Sequence, residues 1–231
     1  MFGAPERGAS KHVRAPAIMF ARVHSVVLVA VGSLLLMLVS APLQSDSVDQ
    51  SPTKALSLFH RSESRIWYSP NYRPTLSLPN GQQETVRSVL NITKPMKFGT
   101  FVWNENDIPK GPVWIRVDLD KQTLAVFRAG HEIGFAIILY GADFKQTPIG
   151  SFHTLQKDAD HYSGSYDEAP MPYMLRLTND GVAIHGSDVR QGWATHGCIG
   201  VPLDFARRLF STASKGDLVV ILPARSATGK A

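Results

Sequence analysis

The sequence predicts a mainly β fold, a β-sandwich or barrel-like domain with one or two short helices. From residue 113 onward, short runs rich in β-branched and aromatic residues alternate with turn residues. Only residues 202–212 carry apolar side chains at helical spacing, and Pro202 suits the first turn of that helix. One helix among many strands is typical of packed sheets.

The predicted elements follow one another with short connections. The strands are expected at 113–119, 123–127, 132–140, 151–156, 173–178, 182–184 and 217–222. Arg128-Ala129-Gly130 is a hairpin signal that leads into the third strand. Asn179-Asp180-Gly181 is a turn that delivers the short strand at 182–184.

The N-terminal 44 residues predict export. Basic side chains within residues 1–22 precede the apolar run 26–39, which is the pattern of a signal peptide. No clear cleavage site follows, because Ser40-Ala41 is followed by Pro42. Residues 1–44 are therefore predicted to be either a signal peptide or a transmembrane signal anchor. In the anchored form, the basic flank keeps the N-terminus inside and the remainder outside.

Three further segments complete the predicted organisation. Residues 45–112 have frequent prolines and no sustained period, so we expect a partly irregular stalk or lead-in. Two apolar patches in it, residues 66–68 and 98–103, suggest that part of it docks on the domain that follows. That domain is predicted at 113–223, and residues 224–231 form a C-terminal tail.

The composition of the chain restricts the partners that can be expected. The formal net charge is +5, but beyond residue 45 basic and acidic side chains nearly balance. No basic tract remains there, so no nucleic-acid partner is predicted. In an oxidising compartment the single cysteine has no internal disulfide partner. The oligomeric state is not indicated.

The one cysteine lies in a pattern that indicates catalysis. Cys198 follows His196-Gly197, and a second pair, His185-Gly186, comes directly after a predicted strand. A thiol with a pKa of about 8.5 is mostly protonated at neutral pH, so a nucleophilic cysteine needs an imidazole nearby. Gly197 permits close approach of a substrate, and the amides of Gly197 and Cys198 are candidate oxyanion donors.

Other interpretations use the same residues. Cys198 is an inert core residue in one of them. In another, His185, His196 and Cys198 bind a metal ion, with His153 or His161 as a further ligand, although no carboxylate or second cysteine has motif spacing. Residues 157–172, rich in tyrosine and acidic side chains, are long for a turn and predict either a lid or an acidic surface loop.

Several segments resemble the L,D-transpeptidase (YkuD-type) catalytic domain family. These are residues 171–178, residues 182–186 and Thr195-His196-Gly197-Cys198-Ile199. Upstream, residues 147–152 are similar to the Thr-Pro-x-Gly-x-Phe signature of that family, and residues 113–127 to its opening hairpin. The resemblance covers about residues 113–222 and implies a YkuD-like β-sandwich.

The resemblance implies an exported enzyme of the periplasm or cell wall that acts on peptidoglycan stem peptides. Cys198 would attack the bond after the third stem residue, release D-alanine and pass the acyl group to an amine acceptor. His185 would be the general base, oriented through the backbone near Gly186. His196 would support substrate and oxyanion together with the amides of Gly197 and Cys198. Such acyl transfer needs no metal or organic cofactor.

One position departs from the family pattern. Gly200 stands where most members have arginine, so a guanidinium suited to a carboxylate is missing. Arg176, which matches a family arginine, and Arg190, in the loop before the cysteine, are the nearest replacements by sequence. We hypothesise that Arg190 takes part of that role; an ordinary solvated loop arginine is the alternative. Tyr173 and Thr195 complete the predicted substrate-binding residues.

Other functions stay open at this point. Water as the acyl acceptor would make the protein an L,D-carboxypeptidase or another thiol hydrolase of peptidoglycan. A wall-binding module that lacks turnover is the alternative that the glycine at position 200 favours. A zinc-binding protein is the third alternative.

Overall fold

The computed structural model describes residues 59–78, 81–141, 145–164 and 168–224. The predicted signal segment, residues 1–44, lies outside the described residues, and so does most of the predicted tail. Within the described ranges no helix has the length and hydropathy that crossing a bilayer requires. Fifteen strands and one α-helix are found there, so the mainly β prediction is confirmed.

The larger sheet has nine strands. They are β1 (Phe59–Arg61), β2 (Arg65–Tyr68), β5 (Ser88–Leu90), β6 (Phe101–Trp103), β7 (Val113–Asp118), β8 (Thr123–Arg128), β9 (His131–Ile137), β10 (Gly150–His153) and β15 (Leu218–Leu222). The strand order is β1-β2-β5-β9-β8-β7-β15-β10, and β6 also pairs with β9. The predicted hairpin is the antiparallel pair β7–β8, and β15 returns parallel to β7.

The smaller sheet carries the predicted catalytic segments. Its strands are β11 (Gln156–Tyr162), β12 (Pro170–Arg176), β13 (Ala183–Ser187) and β14 (Ile199–Pro202), in that order. β13 and β14 run parallel, and helix α1 (Leu203–Thr212) follows β14 directly. A separate ribbon pairs β3 (Thr75–Ser77) with β4 (Gln83–Thr85), after a 3-10 turn at Pro70–Tyr72.

The core lies between the two sheets and α1. Ile184 of β13 and Ile199 of β14 belong to it and are 1% and 0% exposed. Phe205 of α1 is fully buried and meets Phe101 and Trp103 edge-on, at ring distances of 5.7 and 5.4 Å. Edge-to-face contacts of this kind stabilise aromatic clusters. The helix therefore packs on both the smaller sheet and the N-terminal strand β6.

The predicted lead-in segment is more regular than the sequence indicates. From residue 59 it contains six short strands, and the apolar patches at 66–68 and 98–103 contribute to β2 and β6 of the larger sheet. Arg65 is 3% exposed and donates hydrogen bonds to Ser88 Oγ, to the Glu132 carbonyl and to the Asn104 carbonyl. These strands of three or four residues are too short to show a period in the sequence.

Candidate active site

The parallel pair β13–β14 positions the thiol and one imidazole. Ile184 pairs with Ile199, and His185 pairs with Gly200. Successive side chains of a strand point to opposite faces, and paired residues share a face. Because the two isoleucines face the core, His185 faces the opposite side of the sheet. Cys198 lies on that side too, since it packs against the cluster that contains Ala183, and its thiol interacts with the backbone of Ala183, two residues before His185.

The backbone orients the imidazole of His185. Its Nδ1 lies 2.9 Å from the Gly186 carbonyl oxygen. A carbonyl oxygen only accepts hydrogen bonds, so Nδ1 carries the proton and Nε2 keeps a free lone pair. Burial is the main cause that lowers the pKa of His185; the charge of His161 lowers it further, and the Gly186 hydrogen bond partly opposes this. The imidazole is therefore neutral at neutral pH and available as a base.

The thiol of Cys198 is also uncharged at neutral pH. It is half-buried, and its Sγ lies 3.7 Å from the Gly181 carbonyl oxygen. Burial raises the pKa of Cys198; the Ala183 backbone and the charge of Lys145 partly oppose this rise, and Asp180 adds to it. A protonated thiol beside a neutral imidazole has to transfer its proton as it reacts.

Two threonines hold the backbone around the thiol. Gly197 has a φ of +104°, a conformation that side chains disfavour. Thr147, 5% exposed, donates its hydroxyl to the Gly197 carbonyl and accepts from the Gly141 amide, both at 2.9 Å. Thr195 donates its hydroxyl to the Cys198 carbonyl. The segment that carries the thiol is thus fixed on both sides.

A polar cavity opens at the thiol. Its lining residues are Lys145, His161, Ser163, Gly164, Met171, Asp180, Gly181, Val182, His196 and Cys198. The cavity contains a cation, an anion and two imidazoles beside one nucleophile. Such a lining suits a substrate that carries charged groups close to the bond that reacts.

The structure brings some of the predicted site residues together. Cys198 and His196 line the cavity, and His185 and Gly186 lie on the adjacent strand. Thr195 contacts the Cys198 backbone and is not part of the lining.

Three predicted substrate-binding residues lie outside the cavity lining. Tyr173 has a φ of +57° and packs on Phe210 of α1, at a ring distance of 5.8 Å. Arg190 pairs with Asp188 at 2.6 Å and lies over Trp193, and its side chain is 62% exposed. Arg176 lies opposite Ala183 in the β12–β13 ladder and is outside the cavity lining. The hypothesis that Arg190 replaces the family arginine therefore has no support from these contacts.

Sequence reasoning missed Lys145 and Asp180. Lys145 comes two residues before the Thr-Pro motif, and Asp180 stands in the Asn-Asp-Gly turn, which indicates only a turn. His161 belongs to the segment predicted as a lid and to the alternative metal site. That segment is largely the hairpin β11–β12, and His161 pairs with Met171, which lines the cavity together with Cys198. The described residues contain no group of three His, Cys, Asp or Glu side chains that could hold a metal ion.

Gly200 is enclosed by its neighbours. A Cβ at this position would lie 2.9 Å from Ser187 Cβ, 3.2 Å from Ser187 Oγ and 3.5 Å from Leu139 Cβ. The first distance is shorter than real contacts allow, and the obstructing atom is bonded directly to the backbone. An arginine at position 200 therefore has no room in this packing.

Fold and site together define a mainly β domain with a thiol and imidazole on one sheet face. Residues 112–221 match the family of the L,D-transpeptidase catalytic domain, YkuD. This segment, just under half of the chain, is a YkuD-type domain, as the sequence motifs predicted. No curated protein matches the chain.

Solved L,D-transpeptidases are also similar. One from Stackebrandtia nassauensis is 25% identical, with 52% of this chain and 60% of that chain covered and a TM-score of 0.47. One from Mycobacterium tuberculosis H37Rv is 21% identical, with coverages of 48% and 57% and a TM-score of 0.46. A mutant of the Enterococcus faecium enzyme is 17% identical, with coverages of 74% and 89% and a TM-score of 0.46. The chain thus spans less than two thirds of the first two, and the family assignment rests on the sequence match.

Proposed function

We propose that the protein is a peptidoglycan L,D-transpeptidase that works through an acyl-enzyme on Cys198. The observation that carries the proposal is the placement of Cys198 and His185 on one face of neighbouring strands. The Gly186 carbonyl holds His185 Nδ1, which leaves Nε2 as the acceptor for the thiol proton. The cavity that Cys198 lines gives a peptide access to the thiol.

The proposed first half-reaction forms a thioester. His185 Nε2 takes the thiol proton as Cys198 Sγ attacks the carbonyl carbon after the third residue of a stem tetrapeptide. The amides of Gly197 and Cys198 receive the negative oxygen that forms, and His196 supports it from the cavity wall. When the carbon–nitrogen bond breaks, the imidazolium returns the proton to the amine of the departing D-alanine.

The proposed second half-reaction transfers the acyl group. An amine of a second stem peptide loses a proton to His185 and attacks the thioester carbonyl carbon. The carbon–sulfur bond breaks, and Cys198 recovers its proton from the imidazolium. With water in place of the amine the same steps give an L,D-carboxypeptidase, so the acceptor decides between the two activities.

Intact-protein mass spectrometry tests this proposal. We expect wild type, incubated with a disaccharide-tetrapeptide, to gain the mass of a disaccharide-tripeptide acyl group, and Cys198→Ala to gain none. Ser187→Ala, a change on the same sheet face, serves as the matched control and should retain the adduct. An unmodified wild type that still binds peptidoglycan would instead favour a non-catalytic wall-binding module.

Product analysis separates the two enzymatic activities. Cross-linked dimers identify transpeptidation, whereas free tripeptide stems identify hydrolysis. Both products should disappear in Cys198→Ala. Products that persist in that variant would contradict a role for the thiol.

We also propose that the protein is exported and acts in the periplasm or cell wall. The basic and apolar pattern of residues 1–44 supports this, either as a cleaved signal peptide or as a membrane anchor. Cell fractionation followed by N-terminal sequencing of the recovered protein tests both points. Recovery from the cytoplasm with residues 1–44 intact would contradict export.

A further inference from the structure

The cavity contains a lysine whose side chain lies along the catalytic backbone. A Cβ on Gly197 would lie 3.3, 3.5 and 3.6 Å from Cγ, Cε and Cδ of Lys145. Three carbons of the lysine therefore follow the backbone of the residue directly before Cys198. The missing side chain of Gly197 makes the space that this lysine occupies.

The backbone of Lys145 is held close to the same segment. The Lys145 carbonyl oxygen lies only 2.1 Å from the position that a Cβ of Gly141 would take. Thr147, two residues further on, bridges the Gly141 amide and the Gly197 carbonyl. The lysine therefore extends from a backbone that is hydrogen-bonded to the catalytic segment.

The charge of Lys145 acts on two groups of the cavity. It favours the ionised form of Cys198 and that of Asp180, so it lies within electrostatic range of both. Among the described lining residues, Lys145 is the one Lys or Arg side chain. Position 200 has no room for a cation, and Arg190 is paired outside the cavity.

We infer that Lys145 binds the C-terminal carboxylate of the donor peptide and so selects donors that end one residue after the reacting bond. This inference rests on the function proposed above. In such a donor the carboxylate carbon is three bonds from the reacting carbonyl carbon, a separation of roughly 3–3.7 Å. A cation beside the nucleophile is therefore within reach of the carboxylate when Cys198 attacks.

The same contact discriminates against longer or blocked donors. A donor with one more residue, or with a C-terminal amide, presents a neutral group to the ammonium. Such donors lack the charge-assisted contact that a free carboxylate makes with the ammonium, so they react more slowly. Asp180 lines the same cavity.

Paired donors test the inference. Wild type, Lys145→Gln and Lys145→Arg are compared on a disaccharide-tetrapeptide with a free C-terminal carboxylate and on its C-terminal amide. We expect wild type to acylate at least 10 times faster with the acid, because hydrogen bonds to charged groups contribute roughly 10- to 100-fold. Lys145→Gln should lose this preference mainly through slower reaction with the acid, and Lys145→Arg should retain it.

The outcomes separate the two proposals. Lys121→Gln, an exposed lysine that pairs with Asp118, is the matched control and should keep the wild-type preference. A Lys145→Gln enzyme that still prefers the acid, or that slows equally on both donors, overturns the inference and leaves the proposed function intact. A wild type that forms no acyl-enzyme with either donor overturns the proposed function and the inference with it.

Discussion

His185 and Gly200 lie directly opposite each other in the parallel ladder between β13 and β14. The neighbour of His185 on that sheet face is therefore bare backbone, and Ser187 fills the space beside Gly200. This packing leaves no room for an arginine side chain at position 200. It also leaves Lys145, on a different loop, as the cation beside the thiol.

A methyl group at position 200 should destabilise the fold. We expect Gly200→Ala to lower the free energy of unfolding by about 1–3 kcal/mol, because the new Cβ overlaps Ser187 Cβ. Urea denaturation measures this change. The penalty should shrink in a Ser187→Gly background, since the obstructing atom is then absent.

A second glycine provides the control for that experiment. At Gly164 no atom of the other described residues, apart from its chain neighbours, lies within 4 Å of the position that an added methyl group would take, and Gly164 is not among the glycines with positive φ. Gly164→Ala should therefore change stability by less than about 0.5 kcal/mol. Equal effects at positions 164 and 200 would show that Ser187 does not obstruct the site.

The pH dependence of acylation should reflect the environment of His185. The base works in its neutral form, and its pKa is lowered, so activity should persist below pH 6.5 and fall only at lower pH. In His161→Gln a positive charge near His185 is lost, and the acid limb should move to higher pH. Profiles of kcat/KM against pH measure the acid limb of wild type and that of His161→Gln.

His153 offers a matched comparison for His161. It is exposed on β10, where its Nδ1 contacts the Gly216 carbonyl, and it lies outside the cavity lining. His153→Gln should leave the acid limb unchanged. An acid limb that does not move in His161→Gln would rule out the electrostatic coupling of His161 to His185.

Loss of the Thr147 hydroxyl should affect stability and acylation together. Thr147→Val keeps the shape but leaves the Gly141 amide and the Gly197 carbonyl without their partner, at about 1–3 kcal/mol for each buried group. We expect a lower melting temperature and slower acyl-enzyme formation. Thr147→Ser retains the hydroxyl and should keep most of the wild-type melting temperature and acylation rate. If Thr147→Val and Thr147→Ser behaved equally, the hydroxyl would not hold the backbone in this way.

Glu132 should make stability depend on pH. Burial raises its pKa to about 7, above the ordinary glutamate value of 4.5. The folded state therefore favours the neutral form of Glu132. The contribution of this neutral carboxyl to the free energy of unfolding is fully present below pH 4.5 and is lost as pH rises to about 7. The loss is about 3 kcal/mol. Glu132→Gln can still accept the Leu90 hydrogen bond and should lack this loss.

Denaturant unfolding at pH 4.5 and 7.5 checks the sign. The difference in stability between Glu132→Gln and wild type should shift in favour of the variant as pH rises. Glu105 pairs with Arg128 and has a lowered pKa, so the stability it contributes is lost as pH falls below 4.5. As pH rises from 3 to 6, the difference in stability between Glu105→Gln and wild type should therefore shift in favour of wild type, the opposite direction. The same sign in both variants would contradict these assignments.

Sequence reasoning singled out His185 and Cys198 as candidate reactive residues because they stand in local motifs. His185 at the end of an apolar run and Cys198 after His-Gly are visible in consecutive residues. Lys145 had no such signal, since its proximity to Gly197 depends on a contact between segments far apart in sequence. Tyr173 was predicted to bind substrate, but it packs against Phe210 instead. This placement also depends on a tertiary contact that the local sequence does not show.

The segment from 157 to 172 shows a second limit of sequence patterns. β11 reads Gln-Lys-Asp-Ala-Asp-His-Tyr, which has no apolar alternation, and yet it pairs along its length with β12. Lys157 contributes by donating to the Phe210 and Ala213 carbonyls at the end of α1. Backbone pairing and these long-range contacts form the strand, and local composition does not encode either of them.

The short N-terminal strands have a practical consequence for the YkuD-type segment. β5 and β6 cover one side of β9, and the Leu90 amide of β5 binds the buried Glu132 carboxyl. A fragment trimmed to residues 112–221 would expose that side of β9 and leave the carboxyl unsatisfied. Uncovered strand edges promote association between copies. The smallest fragment that stays monodisperse in solution should therefore begin near residue 59.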